Sequence, residues 1–369
     1  VPIHLVTGPA NSGKAAVLLG ELRAHAVRGG EPLLIVPTRA DEARYRRELA
    51  ESGLTMGARV ERFAGLLAEI VARAGAGDEQ LGPIARERLL ARIAGAGPGL
   101  ARPLIGVVAD LEAQRITPAR LKGALRAWAS AGAARSRQME LFGQGDAAAA
   151  GERSTLEWLA GVYERYRQAL SAMGRADREL RAQAALDALR RKPALWGARP
   201  VLLYGFDDLT ELQLDAIETL GKVVEASVSV SLAYEPGRAA FAGRAAAFQR
   251  LAPLASKHTA LPARPDYYAE PSRAALHHLE RSLLSEQPER VPAGEAVQLL
   301  RGDSPREELR LVAAEVRALL EEGVAAEEIA IVHRAPQTIA PLLAEALTAV
   351  GVPFAMRRRV LFADTAVGR

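Results

Sequence analysis

The chain has 369 residues, 49% of them hydrophobic and 25% charged, with a formal net charge of +4. This composition excludes a disordered polypeptide, and the lack of any apolar run of ~18 residues excludes a membrane-spanning helix. With no cysteine in the sequence, disulfide scaffolds, thiolate metal sites and cysteine nucleophiles are excluded as well. The length predicts two to three domains. The N-terminus lacks a basic-then-apolar signal pattern, which predicts a cytoplasmic location. Only five of the 48 basic residues are lysine, and Lys14 is the sole lysine before Lys122. A lysine placed where chemistry wants a point charge therefore stands out.

Residues 3–7, Ile-His-Leu-Val-Thr, form a short apolar run suited to a buried strand. Gly8-Pro9-Ala10-Asn11-Ser12-Gly13-Lys14-Ala15 follows, and then the helical spacing of Val17, Leu18, Leu19 and Leu22. Strand, glycine loop, Gly-Lys and helix form the context of the G-x-x-x-x-G-K-[ST] phosphate loop. Glycines let backbone N–H groups close round phosphate oxygens, the helix N-terminus adds positive potential, and Lys14 adds a full charge. Gly8, Ser12, Gly13, Lys14 and Ala15 are thus the candidate nucleotide-binding residues. A glycine-rich strand-to-helix turn is the plainer reading of the same pattern. The position after Lys14 should carry the hydroxyl that holds Mg²⁺, and Ala15 offers only a methyl group. Ser12 lies inside the loop, away from the ligand position. The expectation is phosphate binding without efficient metal-assisted hydrolysis.

Residues 33–36, Leu-Leu-Ile-Val, read as a second buried strand, and Thr38-Arg39 caps the helix after it. That strand end could meet a nucleic-acid backbone, or simply start a helix with solvated arginines. From residue 63 to about 189 the spacing is helical, with few strand signals. Within it, residues 129–153 are rich in Ala, Gly, Ser and Gln and read as a flexible loop. Strand-like runs return at residues 201–206 and 223–232. The first ends in Asp207-Asp208. Such carboxylates either organise Mg²⁺ at the end of a parallel strand or, with Thr210, cap the next helix. Residues 235–295 read as a loop-and-helix crossover. A second α/β unit is expected from strands at 297–300 and 329–332, a turn at 302–305 followed by an amphipathic helix through Leu309, Val312, Val316, Leu319 and Leu320, and another helix over about 339–350.

In this order the parts resemble a superfamily I DNA helicase. More narrowly, the chain is similar to the AddB/RexB type, the subunit of bacterial double-strand-break repair helicase–nucleases whose motor is often degenerate. The residues carrying the resemblance are 8–14, Ile35-Val36-Pro37-Thr38, Ile116-Thr117-Pro118 with Leu121, Val162-Tyr163-Glu164-Arg165-Tyr166, Leu203-Tyr204-Gly205-Phe206-Asp207-Asp208-Leu209-Thr210, and Asp303-Ser304-Pro305-Arg306-Glu307-Glu308. The resemblance implies a RecA-like P-loop parallel sheet, domain 1A, in two pieces at 1–62 and 191–290. A helical insertion, 1B, would occupy 63–190, and the beginning of a second RecA-like domain, 2A, would occupy 291–369. It places Gly13 and Lys14 on nucleotide phosphate, Asp207 and Asp208 in the acidic motif, Thr38 and Arg39 near DNA, and Arg334 facing nucleotide from 2A.

The partners so implied are DNA, as a single strand or duplex end, and an AddA-type helicase–nuclease subunit. The cofactor implied is ATP with Mg²⁺ at a vestigial site, with no metal cluster in this stretch and no membrane association. The departures are Ala15, an Asp-Asp in place of the Asp-Glu of active members, and only seven residues before Gly8, too few for the upstream adenine-reading segment. Later helicase motifs and a PD-(D/E)XK nuclease pattern do not occur before Arg369. An N-terminal fragment of a helicase-like, non-motor subunit is expected, without nuclease or efficient ATPase activity. The alternative is an active ATP-dependent superfamily I translocase.

Two further motifs point to partners. Gln138-Met139-Glu140-Leu141-Phe142 resembles the peptide by which bacterial repair proteins grip the DNA sliding clamp, with Leu141 and Phe142 as apolar anchors and Gln138 at the pocket rim. The same side chains could instead pack on the helical insertion. Arg357, Arg358 and Arg359 could contact a DNA backbone or form a solvated basic turn. The histidines show no metal spacing. Trp128, Trp158 and Trp196 are expected as core anchors.

Overall fold

The computed structural model describes residues 3–53, 56–75, 79–95, 97–139, 147–356 and 367. Strand and helix alternate from the start: β1 (Ile3–Gly8), α1 (Lys14–Val27), β2 (Leu33–Val36), α2 (Arg39–Glu51), β3 (Arg59–Arg62) and α3 (Phe63–Ala74). A helical stretch follows, comprising a two-residue strand β4 (Glu79–Gln80), α4 (Pro83–Ala94), α5 (Pro98–Ala113), α6 (Pro118–Met139), α7 (Ala147–Ala172), β5 (Arg175–Ala176) and α8 (Arg178–Arg191). Alternation resumes with β6 (Val201–Leu203), α9 (Glu211–Glu218), β7 (Val228–Ala233), α10 (Ala245–Leu251) and β8 (Ala255–Ala260). The chain divides into two compact units, Val1–Tyr267 with Leu279–Glu289, and Tyr268–His278 with Arg290–Arg369.

The first unit is α/β. Six of its described strands form a parallel sheet in the order β3-β2-β6-β7-β1-β8, and the short β4 and β5 pair with each other apart from it. Strands β1, β2 and β6 are buried along their whole length, which is why β2 and β6 read as unbroken apolar runs and β1 as one interrupted by His4. Their side chains feed two cores. Ile3, Leu5, Leu33, Ile35, Val201 and Leu203 face α3, α8 and α9, while Val6, Leu34, Val36 and Leu202 face α1 and α2. Helices thus cover both faces, the doubly wound solution for a parallel sheet.

Strand β8 is a departure from the crossover expected over 235–295. Its sequence, Ala-Ser-Lys-His-Thr-Ala, carries little apolar signal because it is an edge strand, mostly exposed. It is held by its ladder to β1 and by two side-chain bonds, His4 Nε2 to Thr259 Oγ1 at 2.9 Å and Thr7 Oγ1 to His258 Nε2 at 2.8 Å. A charged edge such as Lys257 also discourages pairing with another chain.

Helices α3 and α8 pack on the sheet, whereas α4 to α7 build a core of their own around Leu90, Leu104, Val108, Tyr163, Tyr166 and Leu170. Tyr163 donates its hydroxyl to the Ile116 carbonyl at 2.8 Å, joining α7 to the turn before α6. The loop expected over 129–153 is largely helix instead: α6 runs to Met139 and α7 starts at Ala147. Alanine is the best helix former, and here its propensity outweighs the loop-like glycines and serines. Trp196 is fully buried, as expected of an anchor, but Trp128 and Trp158 are exposed on the helical stretch.

In the second unit, α12 (Pro305–Glu321) and α13 (Pro336–Ala349) pack through Leu309, Val316, Leu343 and Leu347, with Val352 beside them. Helix α11 (Arg273–Ser282) spans the sequence boundary between the units. The strands expected at 297–300 and 329–332 do not form. Extended backbone becomes a strand only when a neighbour takes up its N–H and C=O groups, and among the described residues none pairs with either run. Leu299 and Val332 are consequently exposed, while Ile329 and Ile331 lean on the α12–α13 core.

Candidate phosphate-loop site

The loop after β1 sits at the point in the sheet where chain direction reverses. From β1 the chain leaves through α1 toward β2, while β7, its hydrogen-bonded neighbour, leads through α10 to β8 on the opposite side. A crevice opens at the carboxyl ends of strands at such a switch point, and ligands of open α/β sheets bind there.

Two glycines shape the loop. Gly8 has φ of 153°, and a Cβ there would come within 2.6 Å of Ser12 Oγ and 2.8 Å of the Leu261 carbonyl oxygen. Gly13 caps α1 in the left-handed region, with φ of 89°, and a Cβ there would meet only Arg264 Nη1, at 3.7 Å. Gly8 is therefore required by close packing and Gly13 by backbone conformation. Helix α1 begins at Lys14 with no acidic residue in its first turn, so nothing on that turn offsets its positive end.

Lys14 is 9% exposed. Its Nζ donates to the Gly8 carbonyl at 2.9 Å, to the Pro9 carbonyl, and to Ser12 Oγ at 3.1 Å. The ammonium thus bridges both ends of the loop. Its pKa is lowered from 10.5 to about 8, mainly by burial; Glu280 opposes the shift and Arg244 adds to it. Ser12 is buried and turned to Lys14, and Ala15 brings no oxygen to the loop.

The acidic motif stands at the end of β6, separated from β1 by β7. Asp207 and Asp208 are both exposed. Neither caps α9: Thr210 does so, in a capping box in which its Oγ1 accepts from Gln213 N at 3.3 Å and its own N–H donates to Gln213 Oε1 at 2.9 Å. The carboxylate of Asp207 is instead engaged by Arg244 Nη2. Arg244 closes a 3-10 turn (Ala239–Arg244) after β7, and its guanidinium lies 5.8 Å from the centre of the Phe241 ring. Arg238 lies 4.9 Å from the same ring and pairs with Glu280 at 2.8 Å and Glu235 at 3.1 Å. Arg281 completes the network with a two-pronged contact to Glu235, at 2.6 and 2.9 Å, which holds that carboxyl below its ordinary range.

Arg244, Arg264 and Glu280 were not legible as site residues. No motif marks them, and they reach the loop only because the segments after β7 and β8 return to the carboxyl edge of the sheet. Thr38 is the N-cap of α2, its hydroxyl bonded to Asp41, and Arg39 beside it is exposed, with no carboxylate paired to it among the described residues. Arg334 is exposed in the second unit. Leu141, Phe142, Arg357 and Arg358 lie outside the described residues; Gln138 falls in the last turn of α6, its side chain outside them.

A second cluster of titratable groups joins the helical core to α8. Glu112, Asp177 and Glu179 are buried, each with an oxygen within 4.8 Å of the others. Asp177 caps α8 by accepting from Leu180 N at 3.2 Å. Arg86 stands 3.4 Å from Asp177, Arg167 3.7 Å from Glu112, and Arg178 2.7 Å from Glu179. Burial, and then a shared hydrogen bond with Asp177, push the Glu112 carboxyl well above the usual carboxylate range. The arginines supply the countercharge a metal would supply, so the cluster reads as a structural knot.

Compared with models of known protein families and with curated proteins, the chain matches none. Its class rests on geometry: an α/β protein with a parallel sheet, in a Rossmann- or RecA-like arrangement, and a glycine–lysine loop at the switch point. Among the described residues, no helix is long and apolar enough to cross a membrane.

Proposed function

We propose that this chain is a helicase-like, non-motor part of a bacterial DNA double-strand-break repair helicase–nuclease of the AddB/RexB type. In this reading it handles DNA beside an AddA-type subunit and binds nucleotide phosphate at residues 8–14 without efficient hydrolysis. Supporting it are the parallel sheet with β7 set between the loop strand β1 and β6, the strand that precedes Asp207-Asp208, and the helical core between β3 and β6. The observation that carries the non-motor reading is the pairing of Asp207 with Arg244 beside a loop whose metal-ligand position is Ala15. A carboxylate shared with an arginine is a weaker Mg²⁺ ligand than a free one, and a methyl group is none.

The test is ATP turnover measured with and without single-stranded DNA, alongside DNA binding followed by fluorescence anisotropy at several salt concentrations. The reading expects salt-dependent DNA binding and no stimulated turnover. DNA-stimulated hydrolysis above ~1 s⁻¹, the low end of ordinary enzyme rates, would mark an active translocase instead. Loss of DNA binding at every salt concentration would remove the DNA-handling role.

A further inference from the structure

The divalent cation that accompanies nucleotides in phosphate-loop proteins does not fit the residues present here. Its hydroxyl ligand is replaced by Ala15, and Asp207, the first carboxylate of the acidic motif, is paired with Arg244. The arginine is fixed in place: it closes a 3-10 turn and lies against the buried Phe241 ring. Its turn follows β7, whose last residue, Ala233, is paired with Gly8 of the loop, so Arg244 lies on the segment leaving the same sheet edge. Asp207 does not saturate the guanidinium, because it engages Nη2 alone. Fork-shaped guanidinium groups pair strongly with phosphate oxygens.

We infer that Arg244 stands in for the metal, so that this loop takes the phosphate chain of a nucleoside triphosphate on Lys14 and Arg244 without any divalent cation. The inference rests on the reading that residues 8–14 hold nucleotide phosphate. Asp207 then acts as a positioning residue: it holds the guanidinium at the carboxyl edge of the sheet and limits the positive charge there when no phosphate is present.

The experiment is equilibrium binding of a fluorescent ATP analogue to the full chain, once in excess EDTA and once in excess MgCl₂. Affinities within ~3-fold of each other are expected, and Arg244→Gln should lose ~10-fold or more in EDTA. Asp207→Asn separates the two possibilities by sign. Freeing Arg244 should hold or tighten binding in EDTA, whereas a true metal site would lose Mg²⁺-dependent binding when its carboxylate is removed. Circular dichroism and thermal melting establish that each variant folds; if Arg244→Gln does not, Asp207→Asn decides alone. Binding that needs Mg²⁺ and falls more than ~10-fold in EDTA overturns the inference while leaving the phosphate-loop reading intact. Failure to bind in either buffer overturns both.

Discussion

Arg244 caps the Asp207 carboxylate at the carboxyl end of β6. The two residues are 37 positions apart in sequence, brought together because β6 and β7 are neighbours and the segment after β7 folds back over their ends. The pairing changes what restoring the loop motif can achieve. With only the hydroxyl returned, Ala15→Thr should give no ATP hydrolysis above background, since Asp207 is still engaged and the residue after it is Asp208, not glutamate. A coupled phosphate-release assay with single-stranded DNA checks this, and turnover above ~1 s⁻¹ would contradict it.

Gly8 tolerates no side chain. In Gly8→Ala the new methyl would meet the Leu261 carbonyl oxygen at 2.8 Å, a backbone atom that cannot rotate away, in a conformation with φ of 153°. The expected cost is about 1–3 kcal/mol, read as a lower urea midpoint at unchanged m-value. A wild-type midpoint would show that the loop is looser than its geometry implies.

Nucleotide affinity should fall as pH rises through about 8, the lowered pKa of Lys14. An anion favours the charged ammonium, so above that value binding must also take up a proton, costing up to ~10-fold in affinity per pH unit. Bound phosphate raises the pKa of Lys14 in the complex, so the affinity curve levels off at higher pH. Titrations of the fluorescent analogue between pH 7 and pH 9 give the curve. A flat curve would mean that Lys14 does not face the phosphates.

The buried acid at Glu112 makes the opposite kind of prediction, one about stability. Its folded-state pKa lies above the ordinary 4.5, so the native protein holds this proton at pH values where the unfolded chain has released it. The stabilisation is complete below the unfolded value and is lost as pH climbs toward the folded one. Glu112→Gln keeps the shape and has no proton to lose. Its melting temperature relative to wild type should therefore rise between pH 5 and pH 9, by ~2 °C or more. A constant difference would show that Glu112 is ionised in the native state.

Arg39, exposed at the first turn of α2, offers a test of the DNA-handling role. Removing one phosphate contact should weaken DNA binding and reduce the salt slope by ~1. Arg39→Ala measured by anisotropy across a salt series gives both quantities. An unchanged slope would assign this arginine to solvent.

Much of the fold could be read from residue order because buried parallel strands are largely apolar runs: Leu33 to Val36 and Val201 to Leu203 are uninterrupted, and Ile3 to Val6 is broken only by His4. The glycine–lysine loop was legible for a related reason. Its backbone needs glycine at position 13 whatever surrounds it, because the residue there is left-handed, and a lone lysine stands out in an arginine-rich chain. The sequence also determined that the metal-ligand position carries no oxygen, since Ala15 is a methyl group in any fold.

Other features only the tertiary structure decided. Edge strand β8 lacks an apolar signal, being held by its ladder to β1 and by polar bonds from His4 and Thr7. The apolar runs at 297–300 and 329–332 look like strands, yet a strand exists only with a partner for its backbone. The same dependence on distant segments governs the site. Whether Asp207 is a metal ligand, a helix cap or half of an ion pair turns on which side chain reaches it. Thr210 took the cap and Arg244 took the charge, an outcome that local spacing does not encode.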